Sequence, residues 1–83
     1  MKKEFTISNI MEHPMLNNKE FQNAFTDFLS LRRKMKRPVT ERGEKLLLLK
    51  LLKLSSGDEA AAVKIIDQSI EHGWQGFYPA KTN

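Results

Sequence analysis

The sequence contains no cysteine among its 83 residues. Secreted domains of this size usually depend on disulfides, because a short chain buries too little surface to be stable by packing alone. The lack of cysteine therefore favours a domain in a reducing compartment, and we expect it to be cytoplasmic. A chain of this length also forms one domain at most.

A long apolar run is missing as well. The longest nearly apolar stretch, residues 46–54, is interrupted by Lys50 and Lys53. About 20 apolar residues are needed to span a bilayer. The N-terminal residues also lack the continuous apolar segment of a signal peptide. We therefore expect no membrane partner.

Patterns of catalytic and metal-binding residues are equally scarce. His13 and His72 have no cysteine and no second histidine at helical spacing, so we expect no metal site. Asp67 and Glu71 are four residues apart, but they share a polar face with Lys64, and solvated surface charge explains them better than acid–base chemistry. There is no phosphate-binding glycine loop and no nucleophile motif. We expect neither an enzyme nor a bound cofactor.

The sequence does contain three amphipathic segments. In the first, apolar residues recur at three- and four-residue intervals from Phe21 to Met35, which is typical of one buried helical face. Asn17, with Glu20 three places later, resembles a helix cap, and Pro38 cannot continue a helix. The pattern predicts a helix over residues 18–36.

The second segment begins after Thr40, a good capping residue, and predicts a helix over residues 41–54. A turn of about 100° per residue separates an apolar side from a basic side. The apolar side holds Leu47, Leu48, Leu51, Leu52 and Leu54, and the basic side holds Arg42, Lys45, Lys50 and Lys53. Leu46 and Leu49 fall within the basic side, where they are either half-buried at the edge of the core or exposed for a partner.

The third segment is predicted to be a helix over residues 57–72. Ser56 and Glu59 have the spacing of a capping box, and Gly73 supplies the left-handed residue that often ends a helix. One face carries Ala62, Val63, Ile66, Ser69 and Ile70.

Three such helices with short connections predict an all-α fold, a small three-helix bundle over residues 17–81 that ends in an aromatic tail. Residues 1–16 carry apolar side chains without a clean period. This leader could be an extended arm, a short extra helix or a disordered segment, and the sequence leaves the three alternatives open.

Positive charge is concentrated in the middle of the chain. Residues 32–53 carry nine basic and two acidic side chains, a balance of +7 within a total of +4. A localised basic surface suggests contact with phosphates. The candidate contacts are Arg33, Lys34, Lys36, Arg37, Arg42, Lys45, Lys50 and Lys53. Arg32 lies on the apolar stripe of the first helix, so we expect it to follow the core edge or to pair with an acid.

Aromatic residues follow the third helix, namely Trp74, Phe77 and Tyr78. Aromatic rings beside a basic surface can stack with the bases of a single strand. An apolar residue after a glycine cap often packs back on the helix, so we expect Trp74 to cover Ile66 and Ile70. Phe77 and Tyr78 are the rings that we expect to be free for contact.

The run from Ala62 to Pro79, AVKIIDQSIEHGWQGFYP, resembles the C-terminal ending of phage and prophage replication proteins. It is also similar to the C-terminal domain of the DnaD family, whose Tyr, Ile and Trp motif has the spacing of Ile66, Ile70 and Trp74. Isoleucine stands in place of the tyrosine. In that family the module usually follows a winged-helix domain, which these residues do not contain, so we expect a free-standing version or a domain of a larger protein.

The resemblance and the +7 segment together predict a replication module that binds DNA, either single-stranded or without sequence preference. The alternative is a protein-interaction module that docks on a helicase, a helicase loader or its own copy through Leu46, Leu49 or the aromatic tail. The motif residues Ile66, Ile70, Gly73 and Trp74 are expected to be structural.

Overall fold

A computed structural model describes residues 10–79, apart from the side chain of Met11. Two short 3-10 helices, η1 (Ile10–Glu12) and η2 (Pro14–Asn17), precede three α-helices. These are α1 (Lys19–Lys34), α2 (Glu41–Ser55) and α3 (Glu59–His72), and residues 10–79 contain no strand. The predicted all-α three-helix bundle is confirmed. The first nine residues of the leader and Lys81 lie outside the described range.

Helix α1 and its cap each begin one residue later than predicted, at Lys19 and Asn18. Asn17 is the last residue of η2, whereas the backbone of Asn18 is extended, and its Oδ1 accepts a hydrogen bond from the Phe21 N–H at 2.9 Å. Asn18 also donates through Nδ2 to Glu59 Oε2 at 2.9 Å, which joins the starts of α1 and α3. The assignment of Asn17 as the cap was therefore wrong.

All three helices end in the same hydrogen-bonded turn, which places one residue in the left-handed region. These residues are Lys36 (φ 62°), Ser56 (φ 55°) and Gly73 (φ 68°). In each turn the next residue's N–H reaches back to a carbonyl five positions earlier: Arg37 to Arg32 at 3.0 Å, Gly57 to Leu52 at 3.1 Å, and Trp74 to Ser69 at 2.9 Å. The predicted end at Gly73 is confirmed, while α1 ends before Pro38 is reached.

The capping box predicted at Ser56 and Glu59 was wrong. Ser56 ends α2 instead of starting α3, because its left-handed backbone closes the turn after Ser55. Asp58 precedes the first residue of α3 and makes no capping hydrogen bond with its side chain. The start of α2 was predicted correctly, since Thr40 Oγ1 accepts from the Gly43 N–H at 3.0 Å.

The core lies along α3, against which both α1 and α2 pack. Each helix contributes its predicted apolar face, and α3 also buries Ile65, which the sequence reading missed. The buried apolar side chains of the three α-helices are Phe21, Ala24, Phe25, Phe28, Leu48, Leu51, Leu52, Ala62, Ile65 and Ile66.

Two residues from the described part of the leader belong to this core. Ile10 and Met15 are both fully buried, with η1 against α2 and η2 against α1. His13 Nδ1 accepts a hydrogen bond from the Met15 N–H at 3.1 Å, which starts the short turn that aims Met15 inward. Ile10 and Met15 thus pack into the core of the module that was predicted for residues 17–81. Within residues 10–79, no helix is both long enough and apolar enough to cross a membrane.

Candidate nucleic-acid interface

Basic residues cluster where α1 ends. We call Arg33, Lys34, Lys36 and Arg37 the basic loop, and all of them are exposed. On α2, Arg42, Lys50 and Lys53 are exposed and Lys45 is half-buried. Within the part of the chain that the structure describes, none of these cations forms an ion pair with a carboxylate.

Arg32 has a different role from the basic loop. Its half-buried guanidinium donates from Nε to the Arg37 carbonyl at 2.8 Å and from Nη1 to the Gln75 carbonyl at 2.6 Å. The alternative of an acid partner was wrong, because both acceptors are backbone oxygens. The side chain instead joins the end of α1 to the segment that follows α3.

Phe77 is a core residue. Its side chain is fully buried, and its ring centroid lies 4.5 Å from that of Phe28 and 6.3 Å from that of Phe25. Ser69 Oγ, itself buried, donates to the Gly76 carbonyl at 2.8 Å and fixes the backbone next to this ring. The expectation that Phe77 is free for contact was wrong, because the ring fills the bundle beside α1.

We call residues 74–79 the tail, and its other two aromatic residues stay at the surface. Trp74 is half-buried and stacks on His72, with centroids 4.6 Å apart and an angle of 17° between the rings. The edge of Tyr78 meets Trp74 at 5.2 Å, and Tyr78 is 47% exposed. We call His72, Trp74 and Tyr78 the aromatic cluster. The ring of Trp74 contacts His72 and Tyr78 in this cluster, whereas the tail residue that fills the core is Phe77.

The aromatic cluster touches the basic side of α2. Lys50 Nζ lies 5.1 Å from the centroid of the Tyr78 ring, within the range of a cation–π contact. At the other end of the tail, Arg32 connects Gln75 to the basic loop. The tail therefore links the basic groups of α1 to those of α2 through direct contacts.

Comparison with known protein families gives a match for this chain. A family model for the YdaU C-terminal domain matches residues 16–83. The chain belongs to the YdaU C-terminal domain family. No curated protein and no solved structure matches it. The family match supports the resemblance to a phage or prophage module, while kinship with the DnaD family stays a prediction.

The matched range of the YdaU C-terminal domain includes α1, α2, α3, the basic loop and the aromatic cluster. Ile10 and Met15 precede it, although both are buried in the same core. The folded unit in this chain is thus longer at its N-terminal side than the family range.

Three of the four motif residues in this YdaU C-terminal domain have structural environments. Ile66 is fully buried, Ile70 packs half-buried against the core, and Gly73 ends α3 in the left-handed region. The fourth, Trp74, closes the end of α3 through its N–H on the Ser69 carbonyl at 2.9 Å, and its half-buried ring contacts His72 and Tyr78.

The two leucines on the basic side of α2 are in different environments. Leu49 is half-buried and packs against the core, whereas Leu46 is 44% exposed. Leu46 is thus the leucine that a protein partner of the YdaU C-terminal domain could reach without disturbing the core.

The sequence reading missed Arg32 as a bridge and His72 as a ring partner. The position of Arg32 on the apolar stripe of α1 was the available signal for its inward direction. No spacing rule indicates the contact between His72 and Trp74, because the chain leaves the helix between them at Gly73.

Proposed function

We propose that this YdaU C-terminal domain is a non-catalytic DNA-binding module of phage-type replication. The observation that supports the proposal is the set of cations on the basic loop and α2 that form no ion pair within residues 10–79, joined through the tail to the exposed ring of Tyr78. Phosphates would contact the cations, and unpaired bases would reach the ring.

The cations account for affinity without sequence preference. Lys and Arg side chains that neutralise phosphates release condensed counterions, so binding weakens as salt rises. The side chains of the basic loop are exposed and make no ion pair within residues 10–79, so no ion pair among those residues has to break before they meet a phosphate. This arrangement favours binding to any strand of DNA.

The aromatic cluster accounts for a preference for single strands. Stacking of one base on an aromatic side chain contributes about 1 to 3 kcal/mol, and it requires a base that is not paired in a duplex. Tyr78 is 47% exposed and lies beside Lys50, so a base on the ring would have a cation nearby for its phosphate.

Fluorescence anisotropy with a labelled single strand of about 16 nucleotides tests the proposal. The variant Lys34→Gln, Lys36→Gln, Arg37→Gln removes three of the exposed cations. If each contacts a phosphate, the slope of log K against log salt should become less negative by about 2.

The matched control removes charge elsewhere. Lys19 and Lys64 are exposed at the start of α1 and on α3, away from the basic loop at the end of α1. The variant Lys19→Gln, Lys64→Gln should leave the slope close to that of the wild type. The two variants remove three and two charges, so the changes in slope are compared per charge removed. Equal changes per charge would indicate a general effect of net charge and would count against a defined surface.

The second candidate is a protein-interaction module, and the exposure of Leu46 favours it. A helicase, a helicase loader or a second copy could cover this leucine between the cations of α2. Size-exclusion chromatography with light scattering tests self-association, and capture from nuclease-treated host lysate tests for replication proteins. A complex that survives nuclease and is lost in Leu46→Glu, with no DNA binding by the wild type, would favour this candidate.

A further inference from the structure

Arg32 is the side chain that connects the two parts of the proposed surface. Its Nε binds the carbonyl of Arg37 in the basic loop at 2.8 Å, and its Nη1 binds the carbonyl of Gln75 in the tail at 2.6 Å. This side chain therefore reaches both segments by direct hydrogen bonds.

Each segment has its own local support besides Arg32. The basic loop is closed by backbone hydrogen bonds from Lys36 and Arg37 to the last turn of α1. The tail is held by burial of Phe77 and by the Ser69 hydroxyl on the Gly76 carbonyl. Arg32 adds a direct hydrogen-bonded link between the two segments, beyond the packing of Phe77 against Phe25 and Phe28 of α1.

The chemistry of the guanidinium suits this role. It is planar, always charged and presents several N–H donors in a fixed geometry, so two donors can serve two carbonyls at once. A lysine keeps the charge but has a single flexible ammonium group. The Nε and Nη1 groups of Arg32 both donate to backbone oxygens, and in this Arg32 differs from the exposed cations of the basic loop.

We infer that Arg32 is a positioning residue that holds the basic loop and the aromatic cluster as one preorganised binding surface. The inference rests on the proposed function. A strand that spans both parts binds with a gain from their fixed geometry, because less ordering has to occur on binding. A strand too short to span them has no such gain.

The test compares Arg32→Lys with Arg33→Lys on two single-stranded oligonucleotides of about 4 and about 16 nucleotides. Both variants conserve charge, and Arg33 donates only to Ser30 Oγ within α1, at 3.1 Å. Arg32→Lys should weaken binding of the long strand roughly tenfold and that of the short strand less than about twofold. Arg33→Lys should change both affinities in the same proportion.

A second measurement needs no DNA. Trp74 is the single tryptophan of the chain and lies in the tail next to Gln75. Time-resolved fluorescence anisotropy should show faster local motion of Trp74 in Arg32→Lys than in the wild type, and no change in Arg33→Lys. Thermal melts by circular dichroism confirm that both variants are folded at the assay temperature.

The outcomes separate the two proposals. If the wild type binds neither strand, the proposed function fails and the positioning role for DNA fails with it. If the wild type binds both strands, equal loss for both lengths in Arg32→Lys would identify Arg32 as an ordinary phosphate contact and overturn the inference. Unchanged Trp74 motion, or unchanged affinity for the long strand, would overturn it as well.

Discussion

Phe77 and Tyr78 are neighbours in the sequence with opposite environments, so alanine substitution of each provides a sharp comparison. Phe77 is fully buried against Phe28 and Phe25, whereas Tyr78 is 47% exposed. Removing a buried phenylalanine ring costs about 3 to 5 kcal/mol, through lost transfer free energy and the cavity that remains. Removing an exposed ring costs about 0.5 kcal/mol or less.

The loss at Phe77 is large relative to the stability of a small domain, which is about 5 to 15 kcal/mol in total. For a chain of this size, each kcal/mol lowers the midpoint of thermal unfolding by about 4 to 8 °C. Phe77→Ala should therefore lower the melting temperature by at least about 12 °C. Tyr78→Ala should lower it by less than about 4 °C.

Thermal and urea unfolding, followed by circular dichroism of the helices, measure both effects. Phe77→Leu retains much of the apolar volume and serves if the alanine variant is unfolded at room temperature. In DNA binding the order should reverse, with Tyr78→Ala losing about 1 to 3 kcal/mol of affinity while it stays folded. A Phe77→Ala variant as stable as the wild type would refute the placement of the tail in the core.

Three further predictions concern backbone conformation and the leader. Lys36→Gly and Ser56→Gly should each raise the free energy of unfolding by roughly 0.5 to 1 kcal/mol in urea titrations, because glycine adopts a positive φ without strain. Of the two variants, only Lys36→Gly should weaken DNA binding. Gly73→Ala should lower the free energy of unfolding by about 1 to 2 kcal/mol through its φ of 68° alone, since an added Cβ meets nothing within 4 Å; an unchanged urea midpoint would contradict this. Met15→Ala should lower the free energy of unfolding by about 2 to 5 kcal/mol in the same assay. A loss as small as that of an exposed residue, about 0.5 kcal/mol or less, would show that Met15 is not part of the core.

The regular parts of the fold were predictable because helical burial has a period. On α2 the buried residues Leu48, Leu51 and Leu52 fall on the predicted side, and Thr40 forms the expected cap. The same reasoning found the end of α3, because Gly73 is a residue that tolerates the left-handed region.

The errors occurred where local sequence allows two structures of similar energy. Asn17 and Asn18 are both good caps, and the choice between them depends on η2 ending at Asn17. Ser56 could begin α3 or end α2, and only its backbone conformation decides between them. A left-handed serine or lysine is uncommon enough that sequence preference argues against it.

The irregular segments were harder, since burial there follows no period. Phe77 and Tyr78 look alike in sequence, yet the hydrogen bond from Ser69 to Gly76 turns one ring inward and leaves the other outside. Ile10 and Met15 are buried through two short turns that give no repeating pattern. The basic surface was visible as a charge excess, but the bridge made by Arg32 depends on tertiary contact.

The salt dependence of single-strand binding tests DNA recognition by this domain most directly. With four to eight of the exposed or half-buried cations on phosphates, the slope of log K against log salt should lie between roughly −3 and −6. The triple variant of Lys34, Lys36 and Arg37 should bring the slope about 2 closer to zero. Binding that is absent at low salt, or that does not change with salt, would contradict a phosphate-contacting surface.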